Sequence, residues 1–278
     1  MPTAQIRGAT IHYEIIGKDG PWLALTPGGR RGIDDVRRLA ERVAAKGYRV
    51  VVHDRRNTGS SDVVLEGKDT EYEIWADDLF ELLTQLKALP CWVSGRSSGC
   101  RMTTLFMLRH PEAVKGLILT GITGGAFACN RLAEGYYGQY IKAAEKGGMA
   151  AVCETEHFAE LIKANPANRD RIMSMDVKRF IDSFTKWREP FFTGADLPMI
   201  GVSEAQLNSI KVPTLVVPGN DHTHDRPTGI KVGSMIPNAE TYVLLPIDRD
   251  MDLNHEEWVE KEEELVAKMD DFMKKHAA

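Results

Sequence analysis

The residues best placed to do chemistry are Gly95-Arg96-Ser97-Ser98-Gly99, which directly follow an apolar run, Cys91 to Ser94, and directly precede a helical pattern. A serine held between a strand and a helix is forced into a sharp turn, and small neighbours on both sides let the two backbones approach there. The turn lifts the hydroxyl into a cleft at the carboxyl end of the strand. It also sets the free N–H groups of a helix N-terminus beside the nucleophile, where negative charge develops in a tetrahedral intermediate. Such a serine performs acyl transfer. A hydroxyl is a weak nucleophile near neutral pH, so a base within hydrogen-bond reach and an acid that orients the base are needed as well.

Those groups need a scaffold, and the chain alternates β-branched runs with amphipathic stretches, which predicts an α/β fold with a mainly parallel sheet. An opening hairpin over Ala4 to Ile16 is followed by strands at Trp22 to Thr26, Arg49 to His53, Cys91 to Ser94 and Gly116 to Thr120. Helices are expected between them at Asp34 to Lys46, Tyr72 to Leu86 and Gly99 to Arg109, the first with Val36, Leu39 and Val43 on one face. From about Gly121 to Ser209 the strand pattern disappears and helices punctuated by glycine remain. The sheet pattern returns at Pro213 to Pro218 and Glu240 to Leu245, around a helix near Thr228 to Met235. A last helix starts near Asn254, where Asn254 and Glu257 have capping-box spacing, and runs towards Lys275. The expected division is a core of residues 1–121 and 209–278 and a helical cap of residues 122–208.

With its surroundings, the serine turn resembles the α/β-hydrolase superfamily over nearly the whole chain. Thr26-Pro27-Gly28-Gly29 is similar to that superfamily's oxyanion loop, with Pro27 in place of the usual histidine. Asp54-Arg55-Arg56-Asn57-Thr58-Gly59-Ser60-Ser61-Asp62 is similar to its DxRGxGxSD segment, with Asn57 in place of glycine, and Arg109 to Val114 resembles the end of the helix behind the nucleophile. The resemblance implies a serine hydrolase with Ser97 as nucleophile and the backbone N–H groups of Gly29 and Ser98 as the oxyanion hole. It also implies the chain order serine, acid, histidine. Asp221, in Gly219-Asn220-Asp221, fits the acid, with Asp225 as rival and helix capping as the alternative use of either.

By spacing from the last strand, Asp250 occupies the position where the superfamily has its histidine, and His255 is the histidine nearest to it on that loop. His255 is therefore the expected base, with His222 or His224, which flank the acid, as substitutes. An H-x-H pair beside two aspartates does not by itself make a metal site, so no metal and no cofactor are expected.

Arg30 and Arg31, Arg55 and Arg56, and Arg96 recur at loops that should rim the cleft, and guanidinium forks match a carboxylate. Arg30 and Arg96 are the expected substrate contacts, although Arg55 can equally be structural and Arg31 can serve only to balance Asp34 and Asp35. Tyr136, Tyr137, Tyr140, Trp187, Phe191 and Phe192 suggest a cap that admits small or medium substrates, or simply a packed helical layer. An ester or lactone, with a carboxylate as an open question, is the default substrate. Carbon–carbon hydrolysis of a vinylogous diketone acid and a non-catalytic ligand-binding role are the alternatives.

The 278 residues, 43% hydrophobic and 27% charged, exclude disorder and fibrous repeats. Thirty-five basic against 40 acidic residues leave a charge of −5, which does not suit a nucleic-acid partner. Cys91, Cys100, Cys129 and Cys153 show no CxxC spacing and read as buried thiols of a cytoplasmic protein. The N-terminus has no export pattern, and no run of 18 apolar residues suggests a membrane span. A homodimer through the cap or the last helix is left open.

Overall fold

The computed structural model describes residues 2–65 and 68–277. Its strands, in chain order, are β1 (Thr3–Ile6), β2 (Ala9–Ile16), β3 (Trp22–Thr26), β4 (Arg49–His53), β5 (Cys91–Arg96), β6 (Val114–Thr120), β7 (Thr214–Val217) and β8 (Ala239–Thr241). They form one eight-stranded sheet in the order β1-β2-β4-β3-β5-β6-β7-β8. The first two form an antiparallel hairpin, β2 pairs antiparallel with β4, and all later pairings are parallel.

The helices are α1 (Arg37–Ala44), α2 (Glu71–Gln85), α3 (Ser98–Arg109), α4 (Gly125–Ala133), α5 (Gln139–Cys153), α6 (Glu156–Ala164), α7 (Ala167–Met173), α8 (Val177–Phe192), α9 (Glu204–Ser209), α10 (Arg226–Met235), α11 (Glu256–Glu260) and α12 (Glu262–Lys275). Both faces of the sheet are covered, which is why its central strands are continuously apolar. Ala24, Val51, Val93 and Leu117 face a core shared with α2 and α3. Their neighbours Leu23, Val50, Trp92 and Ile118 face a second core, closed by Leu39 and Val43 of α1 and Val266, Met269 and Phe272 of α12.

Helices α4 to α9 lie between β6 and β7, where the strand pattern fails. Among the cap aromatics, Tyr137, Tyr140, Trp187 and Phe191 are buried in a ring cluster with Phe180 and Phe184, whereas Phe192 is exposed.

Three elements differ from the sequence expectation. Only Ala239–Thr241 is paired as β8, because Leu244 and Leu245 are buried without joining the ladder. The first helix begins at Arg37, after a 3₁₀ turn over Ile33–Asp35 that ends at non-helical Val36. The last helix is broken at Lys261; at its start the Asn254 side chain accepts the Glu257 N–H at 3.3 Å, as the capping spacing predicts.

Candidate active site

Ser97 sits between β5 and α3 with φ +56° and ψ −121°, a left-handed backbone that a non-glycine residue adopts only under constraint. The packing around it shows the constraint. A Cβ on Gly95 would lie 2.3 Å from the Gly99 carbonyl oxygen, and a Cβ on Gly99 would lie 2.6 Å from that of Thr26. The two glycines of the motif are thus required by close backbone approach. The Ser97 N–H is anchored to the Thr120 carbonyl at 2.9 Å, which leaves the side chain to point into the cleft.

The loop after β3 is tied down beside this turn. The Arg55 guanidinium donates to the carbonyls of Gly29 and Arg31 at 3.0 Å each, and the Ser98 hydroxyl donates to Gly29 at 3.1 Å. Among the described residues, no protein acceptor takes the N–H of Gly29 or of Ser98. Asn57, at the departure from glycine, has φ +65°, a conformation that asparagine tolerates better than most residues. Its side chain then serves the loop, accepting from Val64 N–H and donating to Glu71.

The imidazole that reaches Ser97 belongs to His224. Its Nε2 lies 2.7 Å from Ser97 Oγ, and its Nδ1 lies 2.9 and 3.1 Å from the two carboxylate oxygens of Asp221. With Nδ1–H donating to the carboxylate, Nε2 is left as acceptor for the serine proton. Asp221 and His224 are both buried, 2% and 8% exposed. The Asp221 carboxylate also accepts the backbone N–H groups of Thr223 (3.0 Å), His224 (2.8 Å) and Asn254 (2.8 Å). Burial acts to raise the pKa of this carboxyl, but its bonds to His224 and Asn254 outweigh burial and hold it below the ordinary value.

His255, the expected base, is instead exposed, with its Nδ1 3.3 Å from Arg96 Nη2, while the Ser97 hydroxyl bonds to His224. The loop that carries it does not fold back over the serine, since its Asn254 is held against Asp221 and Asn220. Burial, and after it the Arg96 charge, push the His255 pKa down. His222 is exposed against Asp250 at 3.1 Å, and Asp225 caps α10 by accepting the Thr228 N–H at 2.9 Å. The signal for His224 was its place three residues after Asp221, a separation at which side chains in a tight turn can meet.

The five arginines of the expected rim have separate uses. Arg30 is buried and bidentate on Glu71 (3.1 and 2.6 Å), a carboxylate shared with Tyr137 and Asn57. Burial alone would lower the Arg30 pKa, but Glu71 holds it above its ordinary value. Arg30 therefore ties the oxyanion loop to α2 and the cap and is not a free cation. Arg31 pairs with Asp35, Arg55 lies under the loop over the Trp75 ring, and Arg56 pairs with buried Asp78. Arg96 faces the cleft, partly buried, with its guanidinium carbon 5.5 Å from the Trp258 ring centre.

A cavity of about 250 Å³ opens over Ser97 and His224, walled by Gly29, Tyr136, Arg96 and Trp258. A second, of about 580 Å³, adjoins it through Arg30, Arg31, Arg96 and His255. Tyr136 is the one aromatic of the six named in the cap that lines the first cavity.

A family model described as serine aminopeptidase, S33, matches residues 22–229. The uncharacterized hydrolase YraK of Bacillus subtilis (strain 168) is 34% identical over 116 residues, 42% of each chain, so the match spans about two fifths of that relative's length. The non-heme chloroperoxidase CPO-A1 of Kitasatospora aureofaciens is 26% identical over 259 residues, 87% of this chain and 90% of that one. The enol-lactonase from Burkholderia xenovorans LB400 shares the fold with a TM-score of 0.65 at 19% identity, over 98% of this chain and 100% of its own. Among the described residues no helix is long and apolar enough to cross a membrane.

Proposed function

The chain belongs to the serine aminopeptidase S33 family and is an α/β-hydrolase, and from that premise we propose that it cleaves a carboxylic ester or lactone of a small substrate through an acyl-enzyme on Ser97. The observation that carries the reading is the unbroken run of hydrogen bonds from Ser97 Oγ through His224 to Asp221, beside a cavity of about 250 Å³. Ser97 Oγ attacks the carbonyl carbon and its proton passes to His224 Nε2. Asp221 orients the ring and stabilises the imidazolium, and the N–H groups of Gly29 and Ser98 receive the oxyanion. His224 then protonates the leaving alcohol. A water, deprotonated by the same ring, releases the acid and restores the serine.

The charges around the cavity favour an ester over a free aminopeptide. Arg30, Arg31, Arg96 and Arg131 line it against the single carboxylate of Asp35, which Arg31 already engages. A substrate α-ammonium would find no free anion among these groups. The closed relay also weighs against a non-catalytic role.

Fluorophosphonate labelling with peptide mapping, paired with hydrolysis of 4-nitrophenyl acetate, tests the proposal. Ser97 should label and Ser97→Ala should abolish both signals; an unlabelled Ser97 in folded protein would overturn it. Turnover of a dienol keto acid in strong preference to aryl esters would move the chain to carbon–carbon hydrolysis.

A further inference from the structure

Of the four arginines that line the cavity over Ser97, Arg96 has no carboxylate partner among the described residues; Arg55, likewise without one, lies buried beneath the oxyanion loop and donates to its carbonyls. Glu71 balances Arg30, Asp35 balances Arg31, Asp78 balances Arg56 and Asp252 lies 3.7 Å from Arg131. The protein groups at the Arg96 guanidinium are the His255 Nδ1 at 3.3 Å and the Trp258 ring. Asp35 and Glu262 act on Arg96 only at a distance, and a partly desolvated cation without a counter-charge in contact is costly to maintain, a cost that a ring face offsets only in part. This one stands in the residue next to the nucleophile, on the wall common to both cavities. Because His255 Nδ1 accepts from the guanidinium, its Nε2 carries the proton and is a second donor on the same wall.

Resting on the hydrolase reading above, we propose that Arg96 and His255 form an anion subsite that takes the free carboxylate of the substrate, so that the preferred substrate is a monoester or lactone of a dicarboxylic acid. The guanidinium fork binds the carboxylate, and the His255 Nε2–H adds a further hydrogen bond. Trp258 backs the guanidinium and limits its motion. His255, which bonds to Arg96 while the serine bonds to His224, thereby acquires a role in substrate selection.

Two measurements test this. In the first, the His255 ring signal of Ser97→Ala protein, assigned by its loss in His255→Gln, is followed by NMR during titration with monomethyl succinate and, separately, dimethyl succinate. The monoester should shift the signal saturably, the diester should not, and adding Arg96→Gln should remove the response. In the second, the ratio of kcat/KM for 4-nitrophenyl hemisuccinate to that for 4-nitrophenyl butyrate should fall about ten- to a hundredfold in Arg96→Gln, the size expected for losing a charge-assisted hydrogen bond. Arg96→Lys, which keeps the charge but not the fork, should restore part of the ratio, and Arg42→Gln, at a residue that lines neither cavity, should leave it in place. Fluorophosphonate labelling of Ser97 checks that each Arg96 variant retains its site. No saturable shift, or a shift and ratio that survive Arg96→Gln, would overturn the subsite. Saturable monoester binding in a protein whose Ser97 never labels would keep the subsite and remove the hydrolase reading; labelling without monoester preference would do the reverse.

Discussion

Replacing His224 should abolish nearly all turnover, whereas replacing His255 should not. The Ser97 hydroxyl is 2.7 Å from His224 Nε2, and the ring is pinned from behind by both oxygens of Asp221 at 2.9 and 3.1 Å. His224→Ala removes the proton acceptor for attack and the proton donor for the leaving alcohol together. General acid–base groups contribute about 10²–10⁴ in rate, and serine–histidine units lose more when broken. We expect kcat for 4-nitrophenyl acetate to fall at least about a thousandfold, or about 4 kcal/mol at 1.36 kcal/mol per decade. The rate of fluorophosphonate labelling at Ser97 should fall with it, while the thermal midpoint stays within a few degrees. His255→Ala should lose at least about a hundredfold less on the same neutral ester, since it bonds to Arg96 and not to Ser97. A His224→Ala protein within about tenfold of wild type, or a larger loss in His255→Ala, would refute the assignment of the base.

Two further outcomes concern stability. Glu71 is 0% exposed and holds Arg30, Tyr137 and Asn57 at once, so Glu71→Ala strands a buried guanidinium and should cost about 3–5 kcal/mol in urea unfolding. A loss below about 1 kcal/mol would mean that water replaces the carboxylate. His53 is 2% exposed, and burial, followed by the Arg55 charge, pushes its pKa down to about 3. Its unfolded value is about 6.5, so the unfolded chain binds this proton first. The stability it supports is complete above about pH 6.5 and is lost as pH falls towards 3, at up to about 1.4 kcal/mol per pH unit. Stability curves of wild type and His53→Leu between those limits should differ by that slope; parallel curves would show that His53 does not titrate on unfolding.

The fold was legible because both signals that specify it are local. Runs such as Val50-Val51-Val52 and Cys91-Trp92-Val93 are apolar on both faces, which parallel strands between two helical layers require, and the serine turn needs two glycines within five residues. The end of the sheet is not legible because Leu244 and Leu245 are buried in the second core without strand pairing, a difference that hydrophobicity alone does not encode. Ser97 follows β5 directly and Asp221 comes four positions after the end of β7, so few conformations separate either residue from the sheet. The fate of the arginines was hidden for the opposite reason. Arg30 and Arg96 look alike in the sequence, and only the position of Glu71, 41 residues from Arg30, shows that one is neutralised and the other is not.

A base on the same loop as the acid, as the proposed function has it, is compatible with what acyl transfer demands. The reaction requires an imidazole nitrogen within bonding distance of the serine and a carboxylate behind the ring; it does not require either to come from a given strand. Here the loop after β7 supplies both, and such a short loop must be braced from outside to hold a ring in place. The loop of residues 247–254 provides the brace. Its carbonyls at Ile247, Met251 and Asp252 accept from Asn220 Nδ2, His222 N–H and the Thr223 hydroxyl at 2.8, 2.9 and 2.7 Å. Asn254 gives its backbone N–H to Asp221 and its amide to Asn220. The segment in which the resemblance to the superfamily implies the histidine here supports the loop that carries His224. His255, next to Asn254 on that support, faces Arg96 instead of the serine.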